Sequence, residues 1–237
     1  MKLRPFWRYY GGKFRLAPRY PAPRFKTIVE PFAGAAGYAL RHHTHDVVLV
    51  DKSPFVAEIW RFLIGTTADE IRRIPYVEHV DELPGWVCQG ARWLVGFSMN
   101  DATTEPRKQL SAGRKRLRER GCKYEGWTDA HKESVASQVG LIRHWRVIEG
   151  DYIDAPDIEA TWFIDPPYQL AGKFYRAQPA DFYALGDWCR SRAGQVMVCE
   201  NVGADWLPFR PFVDAKSAMR PGTTNREAIW TNDGAGA

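Results

Sequence analysis

Residues 162–168 of the chain read Trp162-Phe163-Ile164-Asp165-Pro166-Pro167-Tyr168. The apolar, β-branched and aromatic run from Ala160 to Ile164 predicts a buried β-strand, which the two prolines must end because proline donates no ladder hydrogen bond. Each proline fixes its own φ, so the strand leads into a stiff, non-helical turn. In open α/β sheets, ligands bind at the carboxyl ends of the strands. The stretch therefore predicts an α/β fold with a binding site at this turn.

Three groups at this turn suit a planar heterocycle that carries an exocyclic amine: the Asp165 carboxylate, a backbone carbonyl and the Tyr168 ring. Such an amine is a poor nucleophile because its lone pair is delocalised into the ring. A carboxylate and a carbonyl that accept its two hydrogens draw the nitrogen towards a tetrahedral shape and free the lone pair. The Tyr168 ring can stack on the base, which is worth ~1–3 kcal/mol. The alternative interpretation is a strand end with an incidental proline turn.

The composition predicts a cytoplasmic globular protein. With 237 residues, of which 45% are hydrophobic, the chain can form one large α/β domain or one domain with an insertion. Its apolar runs are shorter than the ~18 residues of a membrane span, and the amino terminus lacks an apolar signal region. The cysteines show no Cys-x-x-Cys spacing, which favours reduced thiols over a disulfide framework or a zinc site. They are Cys88, Cys122, Cys189 and Cys199.

A glycine loop follows the first predicted strand, at residues 27–30. Glu30 and a proline end this strand, and the spacing of Gly34 and Gly37 predicts a loop that opens a helix. This is the arrangement of a nucleotide-binding first βα turn. The loop is not Gly-x-Gly-x-x-Gly, which disfavours NAD and suits a ligand without a pyrophosphate.

An acidic residue closes the second predicted strand, at residues 47–50. This residue, Asp51, lies 17 positions after Gly34, where a carboxylate can bind a ribose hydroxyl pair. The glycine loop and Asp51 together favour an adenosine-containing cofactor. Three histidines lie between the two motifs, but cations near a helix C-terminus are common and need no metal-binding role. We therefore expect no metal at His42, His43 and His45.

Basic residues are concentrated in one segment, at 107–123. This segment holds eight Lys or Arg residues and one acidic residue, so it carries +7, and the rest of the chain about −2. A local basic stripe on a near-neutral body is typical of a protein that binds a polyanion. The alternative is a solvated basic helix. A polar loop at 98–107 leads into the stripe, and its side chains could read base edges.

The α/β pattern is interrupted once, by residues 66–144, which hold no clear strand. We interpret this segment as a mostly helical insertion in an α/β domain formed by 1–65 and 145–237. Within the insertion, the predicted helical stretches are 87–99, 110–120 and 130–144. Outside it, helices are predicted at 54–64 and 180–192, and strands at 146–152, 195–199, 212–219 and 227–231, with 223–226 linking the last two.

Five motifs appear in a characteristic order along the chain: Tyr-Tyr-Gly-Gly-Lys (9–13), Glu-Pro-Phe-Ala-Gly-Ala-Ala-Gly (30–37), Asp51, Gly-Asp-Tyr (150–152) and Asp-Pro-Pro-Tyr (165–168). The ordered set resembles the alpha-class, Dam-like DNA adenine N6-methyltransferases, particularly the small phage and prophage forms. The resemblance covers about 6–65 and 145–232. Each motif alone is weak, and the specificity lies in their order.

The resemblance implies a Rossmann-like methyltransferase sheet, S-adenosyl-methionine as the cofactor, and site-specific adenine methylation of the kind found in restriction–modification. It implies that a catalytic turn holds the flipped adenine, namely Asp165, Pro166, Pro167 and Tyr168. It also implies a set of cofactor-binding residues: Tyr9, Lys13, Glu30, Phe32, Gly34, Gly37, Asp51, Asp151 and Asp165. The chain departs from the family at Ala35-Ala36, where many members have further glycine.

Double-stranded DNA is the partner that the resemblance implies, with the insertion as the target-recognition region. A base inside a duplex must be flipped out, at a cost of a few kcal/mol, before it can reach a buried methyl donor. We expect the polar loop and the basic stripe to contact the DNA. The residues are Asn100, Arg107, Lys108, Arg114, Lys115, Arg116 and Arg118.

Three other functions stay open at this point. A DNA cytosine-N4 methyltransferase needs the same amine chemistry, but the resemblance favours adenine because Asp165, rather than serine, opens the catalytic motif. Methylation of a protein glutamine or of RNA uses a related Asn-Pro-Pro-Tyr turn, and the basic stripe and the Lys13 motif argue against it. A catalytically idle DNA-binding module is disfavoured because every catalytic position is present.

Overall fold

A seven-stranded sheet lies at the centre of the computed structural model, which describes residues 3–100, 103–122, 125–170, 179–216 and 224–233. Each strand contains β-branched or aromatic residues, which favour extended backbone. The strands are β1 (Thr27–Glu30), β2 (Asp46–Asp51), β3 (Arg146–Glu149), β4 (Ala160–Ile164), β5 (Gly194–Asn201), β6 (Arg210–Lys216) and β7 (Thr224–Thr231). The last three positions of the predicted strand at 212–219 lie outside the described residues.

The strand order in the sheet is β3-β2-β1-β4-β5-β7-β6. β1 pairs in parallel with β2 on one side and with β4 on the other, so the strand order reverses beside β1. Such a switch point opens a crevice at the carboxyl ends of the strands. β7 runs antiparallel between β5 and β6. The predicted α/β class is therefore confirmed, with a mixed sheet that is mostly parallel.

The described residues form six α-helices: α1 (Pro54–Gly65), α2 (Ala68–Arg73), α3 (Gln89–Ser98), α4 (Ala112–Glu119), α5 (Asp129–Val139) and α6 (Phe182–Arg190). Several begin at a side chain that accepts a hydrogen bond from a free backbone N–H, as helix N-termini require. Thr67 and Glu70 form a capping box on α2, and Ser111 caps α4. The predicted helices at 54–64, 87–99, 110–120, 130–144 and 180–192 correspond to α1, α3, α4, α5 and α6.

Two hydrophobic clusters cover the two faces of the sheet, because successive side chains of a strand point to opposite faces. On β4, Phe163 belongs to the first cluster, whereas Trp162 and Ile164 belong to the second. The first cluster also contains buried side chains of α1, α3 and α5, and the second contains those of α6. The helices of the predicted insertion thus share one core with a face of the sheet.

Several details of the predicted fold are wrong. The strand predicted at 146–152 ends at Glu149, and a 3-10 turn follows at Tyr152–Asp154. The glycine loop does not open an α-helix but leads into a short 3-10 turn, Ala39–His42. Gly34 and Ala36 both have positive φ, 45° and 49°, so the chain reverses through tight turns before helical geometry can propagate. The predicted link at 223–226 is also wrong, because its last three residues belong to β7 and complete its pairing with β6. None of the described helices is long and apolar enough to cross a membrane.

Candidate functional site

A cavity of about 390 Å³ lies at the carboxyl ends of β1, β2, β3 and β4. All nine residues predicted to bind the cofactor line it, although they come from five separate stretches of sequence. The turn after β4 contributes Asp165 and Pro167 to the cavity wall, whereas Pro166 and Tyr168 are not part of that wall. The switch point beside β1 thus brings the predicted motifs together in one place.

Several residues of the cavity wall were not predicted. Most of them lie within three positions of a predicted residue, as Lys52 and Ser53 lie after Asp51, so proximity in sequence was an available signal. Thr104 and Glu105 are different, because they come from the polar loop of the insertion. This loop reaches the cavity by pairing with the amino-terminal motif, since the Tyr10 N–H donates to the Thr103 carbonyl at 3.3 Å.

The glycine loop is held by specific contacts on both sides. The Gly34 N–H donates to Asp51 Oδ2 at 2.8 Å, and Trp60 Nε1 donates to the Gly34 carbonyl at 2.8 Å. At Gly37, a Cβ would lie 2.5 Å from the Phe14 backbone nitrogen, so a larger residue cannot fit without moving the backbone. The loop is therefore tightly packed against the Lys13 segment and the end of β2.

Asp51 connects the glycine loop to the start of α1. Its second oxygen, Oδ1, accepts the Ser53 N–H at 2.8 Å. Burial raises the pKa of Asp51 to about 6, against the two backbone N–H bonds, which favour the ionised form. Asp51 lines the cavity, so its predicted contact with ribose hydroxyls is compatible with its position, and it also has a structural role that the sequence did not indicate.

Glu30 is a buried acid at the end of β1, 2% exposed. Its Oε1 accepts the Ala39 N–H at 2.5 Å. Burial raises the pKa of Glu30 to about 8; the Ala39 N–H opposes this shift, and the charge of Asp165 adds to it. The Glu30 carboxyl is therefore largely protonated at neutral pH. It lines the cavity, where it can donate as well as accept a hydrogen bond.

Asp151 and Phe32 form another part of the cavity wall. Asp151 Oδ2 pairs with Lys52 Nζ at 2.7 Å, and its Oδ1 accepts the Tyr152 N–H. The rings of Phe32 and Tyr152 are stacked, with centroids 5.7 Å apart. This wall thus combines an acidic group with flat aromatic surface, which suits a ligand that has both a cationic or hydroxylated part and a ring.

Lys13 forms an ion pair with Asp165, with Nζ 2.9 Å from Oδ1. Nζ also donates to the Gly11 carbonyl at 3.0 Å and lies 4.7 Å from the centre of the Tyr168 ring. Burial of Lys13 disfavours its charged form, but the carboxylates of Asp165 and Glu227 outweigh burial and raise the pKa of Lys13. Burial likewise raises the pKa of Asp165, while Lys13 opposes that shift. The predicted cofactor lysine is thus a partner of the predicted catalytic carboxylate.

Two buried glutamates hold the residues that follow Asp165. The Tyr168 hydroxyl donates to Glu227 Oε2 at 2.5 Å. Glu200 accepts the Gln169 N–H at 2.9 Å and also binds Trp206 Nε1. Neither glutamate was predicted, because the strands that carry them follow the turn by a long interval in the sequence.

One residue of the predicted DNA-contacting set is in the wrong place for that role. Arg114 is 4% exposed; it forms an ion pair with the buried Glu125 and donates to the Asn100 carbonyl at 2.6 Å. It therefore fixes α4 to the polar loop and does not face solvent. Leu117, on another side of the same helix, is exposed instead. The stripe's charge count did not reveal this because it ignores which side of the helix faces the core.

Three other predicted DNA-contacting residues have acidic neighbours. Lys115 and Arg118 both pair with Glu78, at 2.6 and 2.8 Å, and Lys108 Nζ lies 3.7 Å from Asp81. Arg107 and Arg116 are exposed and form no ion pair within the described ranges, and the same holds for Arg120, which was not in the predicted set. The stripe therefore presents fewer unneutralised charges than its sequence indicates.

The described residues contain no cluster of His, Cys, Asp or Glu suited to a metal ion. Among the histidines considered above, His45 Nδ1 lies 3.0 Å from the carbonyl oxygen of His42.

In comparisons with known proteins, no family model matches the chain, and no curated protein matches it. What is inferred about its activity therefore depends on the motifs and on the geometry of this cavity.

Proposed function

We propose that this chain is an S-adenosyl-methionine-dependent DNA methyltransferase that modifies the exocyclic N6 of a flipped-out adenine. The observation that supports it most is the single cavity that joins the glycine loop, Asp51 and Asp165. A cofactor site and an amine-activating carboxylate must be adjacent for methyl transfer, because the reacting atoms have to be held close together and aligned.

The cavity wall suits the proposed cofactor chemically. S-Adenosyl-methionine supplies a methyl group on a positively charged sulfur, together with a ribose, an adenine ring and an amino-acid end. Glu30, Asp51 and Asp151 provide carboxyl groups for its hydroxyl and cationic parts, and Phe32 and Tyr152 provide aromatic surface. The glycine loop lies where only backbone can approach a ligand closely.

Asp165 and the carbonyl beside it would accept the two hydrogens of the target amine. Lys13 engages Oδ1 of Asp165, which leaves Oδ2 as the proposed acceptor for the amine. In the proposed step the bond between the nitrogen and the methyl carbon would form as the carbon–sulfur bond breaks, which leaves a neutral thioether. Asp165 would stabilise the positive charge that develops on the nitrogen and could take the proton that it releases. Burial raises the pKa of Asp165, and the ammonium of Lys13 opposes this shift and so favours the ionised carboxylate.

The exposed arginines of the insertion are the groups proposed to hold the DNA. Arg107 follows the polar loop, which lines the cavity through Thr104 and Glu105, and Arg116 and Arg120 lie one helical turn apart at the end of α4. A phosphate backbone held by these residues would be close to the same loop that reaches the cavity. Binding there is expected to be salt-dependent and independent of base sequence.

The test is to incubate the purified chain with duplex DNA and labelled cofactor and to identify the methylated nucleoside by mass spectrometry. The proposal predicts N6-methyladenine, and cofactor binding by calorimetry in the absence of DNA. Detection of N4-methylcytosine instead would show that the target base is cytosine rather than adenine. Transfer to RNA or protein but not DNA would contradict the proposal, as would failure to bind the cofactor.

A further inference from the structure

Glu227 lies next to the catalytic turn, although it is distant from it in sequence. β7 runs antiparallel to β5, so its amino-terminal half lies beside the carboxyl end of β5, where Glu227 pairs in register with Asn201. β4 runs parallel to β5, so the carboxyl end of β4, which Asp165 follows, lies at the same end of the sheet. Glu227 is buried, and Tyr168 donates its hydroxyl hydrogen to Oε2 at 2.5 Å.

Tyr168 is held at two points by groups of opposite charge. Its hydroxyl is held by Glu227, and its ring lies beside the Lys13 ammonium, 4.7 Å from the ring centre. The same ammonium is paired with Asp165 at 2.9 Å. Lys13, Asp165, Tyr168 and Glu227 thus form one buried network, in which the position of each group depends on the others.

From this geometry we infer that Glu227 is a positioning residue for the proposed methyl transfer: it fixes the Tyr168 ring and, through that ring and Lys13, the orientation of Asp165. The inference rests on the proposed function. The carboxylate makes a charge-assisted bond to the phenol, which is shorter and stronger than a neutral one. Glu227 is absent from the cavity wall and does not touch the substrate in this role.

Two substitutions remove the same bond from its two ends. Glu227→Gln keeps the size of the side chain but loses the charge, and Tyr168→Phe keeps the ring but loses the donor. We expect each to slow single-turnover methyl transfer by about tenfold to a hundredfold, the scale of a hydrogen bond to a charged group. The double variant should be no slower than Tyr168→Phe alone, because Tyr168→Phe already removes the bond to Glu227, together with the contact of the same hydroxyl with Asp165.

The controls separate positioning from general structural damage. The affinity for cofactor, measured by calorimetry, should change little in both single variants, and loss of the buried bond should lower the thermal unfolding midpoint without unfolding the chain at the assay temperature. Glu159→Gln, on an exposed residue before β4, is the matched control and should retain the wild-type rate. If one single variant does not fold, the other still tests the same bond.

Three results would overturn the inference: a wild-type rate in Glu227→Gln, strictly additive losses in the double variant, or parallel losses of rate, cofactor affinity and thermal stability. An inactive wild-type chain is a different result, because it contradicts the proposed function itself. In that case, coupling between the two substitutions in the free energy of unfolding would still report whether the Tyr168–Glu227 bond forms.

Discussion

The carboxylate of Asp165 has two roles: it pairs with a buried lysine, and it is the proposed acceptor for the target amine. Its Oδ1 is 2.9 Å from Lys13 Nζ, and Lys13 is only 7% exposed. Removing the Asp165 side chain would leave an uncompensated buried cation, which is strongly destabilising. An alanine substitution therefore tests stability and catalysis at the same time, and asparagine is the better choice.

For Asp165→Asn, we predict a loss of methyl transfer of about a hundredfold or more, because the amide is a weaker acceptor and carries no charge to stabilise the developing cation. Cofactor affinity should change much less. Initial rates with labelled cofactor, together with calorimetry, measure the two effects. The matched control is Asp187→Asn, an exposed residue on α6. A variant that keeps a tenth of the wild-type rate would contradict the assigned role.

Glu30 makes the stability of the unliganded chain depend on pH. The folded chain keeps a proton on Glu30 up to about pH 8, whereas an unfolded chain releases it near pH 4.5. Between these values the folded state binds more protons, so its stability must fall as the pH rises. Asp51, with a pKa raised to about 6, contributes in the same direction over the lower part of that range.

We predict that Glu30→Gln reduces this dependence on pH. The amide cannot ionise, yet its oxygen can still accept the Ala39 N–H. The free energy of unfolding of the variant, relative to the wild type, should therefore rise between pH 5 and pH 8. Urea unfolding at several pH values measures the difference. Two parallel curves would show that Glu30 is ionised in the folded chain throughout, which would contradict this explanation.

At the scale of elements, the helix α4 carries a buried, structural arginine and an exposed arginine only two positions apart. Arg114 is buried against Glu125 and the Asn100 carbonyl, and Arg116 faces solvent. Ser111 caps the helix, because its side chain accepts the Arg114 N–H. The helix is therefore attached to the rest of the molecule through a charged residue rather than through Leu117.

We predict that Arg114→Gln destabilises the chain by ~3–5 kcal/mol, because it leaves the Glu125 carboxylate buried with a weaker partner. The remaining contact of Glu125 with Arg8, at 3.5 Å, would keep the loss towards the lower end. Arg116→Gln is the matched control, and its effect should lie within about 0.5 kcal/mol. Urea unfolding of the two variants measures both. Equal stabilities would mean that the Arg114 ion pair does not form in solution.

Local sequence patterns predicted those parts of the fold that have a local cause. β4 ends at Ile164 because the residues after it are Asp-Pro-Pro, and β2 ends at Asp51. The helix expected after the glycine loop was wrong because it was inferred from the spacing of Gly34 and Gly37, whereas positive φ at Gly34 and Ala36 turns the chain before an α-helix can begin. A local sequence pattern cannot predict backbone conformation where tertiary contacts determine it.

The internal partners of the site could not be predicted in the same way. The contact between Tyr168 and Glu227 requires β7 to insert between β5 and β6, and the contact of Lys13 with Asp165 requires the amino-terminal segment to lie across the sheet edge. Both depend on strand order, which no short window of sequence specifies. The motifs thus identified which residues meet at the cavity, but not which of them bind one another.

For the whole molecule, the basic stripe presents less unneutralised positive charge than its sequence indicates. Carboxylates from outside the stripe pair with several of its cations: Glu125 with Arg114, and Glu78 with both Lys115 and Arg118. A sum over a sequence window counts these charges in full, although neighbours from other segments neutralise them in the fold. Phosphate binding should therefore depend on the arginines that remain exposed.

The last prediction follows from this distinction and concerns the salt dependence of DNA binding. In the variant Arg107→Gln/Arg116→Gln/Arg120→Gln, the log–log slope of affinity against salt should become shallower by about 0.9 for each phosphate that the replaced arginines bind in the wild type. Affinity should fall alike for duplexes of any sequence, since phosphate contacts carry no sequence information. Cofactor affinity and the unfolding midpoint should stay unchanged because these side chains are exposed.

The control is Lys115→Gln/Arg118→Gln, which changes two cations that share one carboxylate, Glu78. Because these two cations are already paired with a carboxylate, they should bind fewer phosphates, and we expect a smaller change of slope per residue than in the triple variant. Titrations of fluorescent duplexes at several salt concentrations compare the two. A larger change per residue in the control would mean that DNA displaces Glu78 and that the paired face of α4 is the contact. An unchanged slope in both would leave α4 as a solvated helix and place any DNA contact elsewhere.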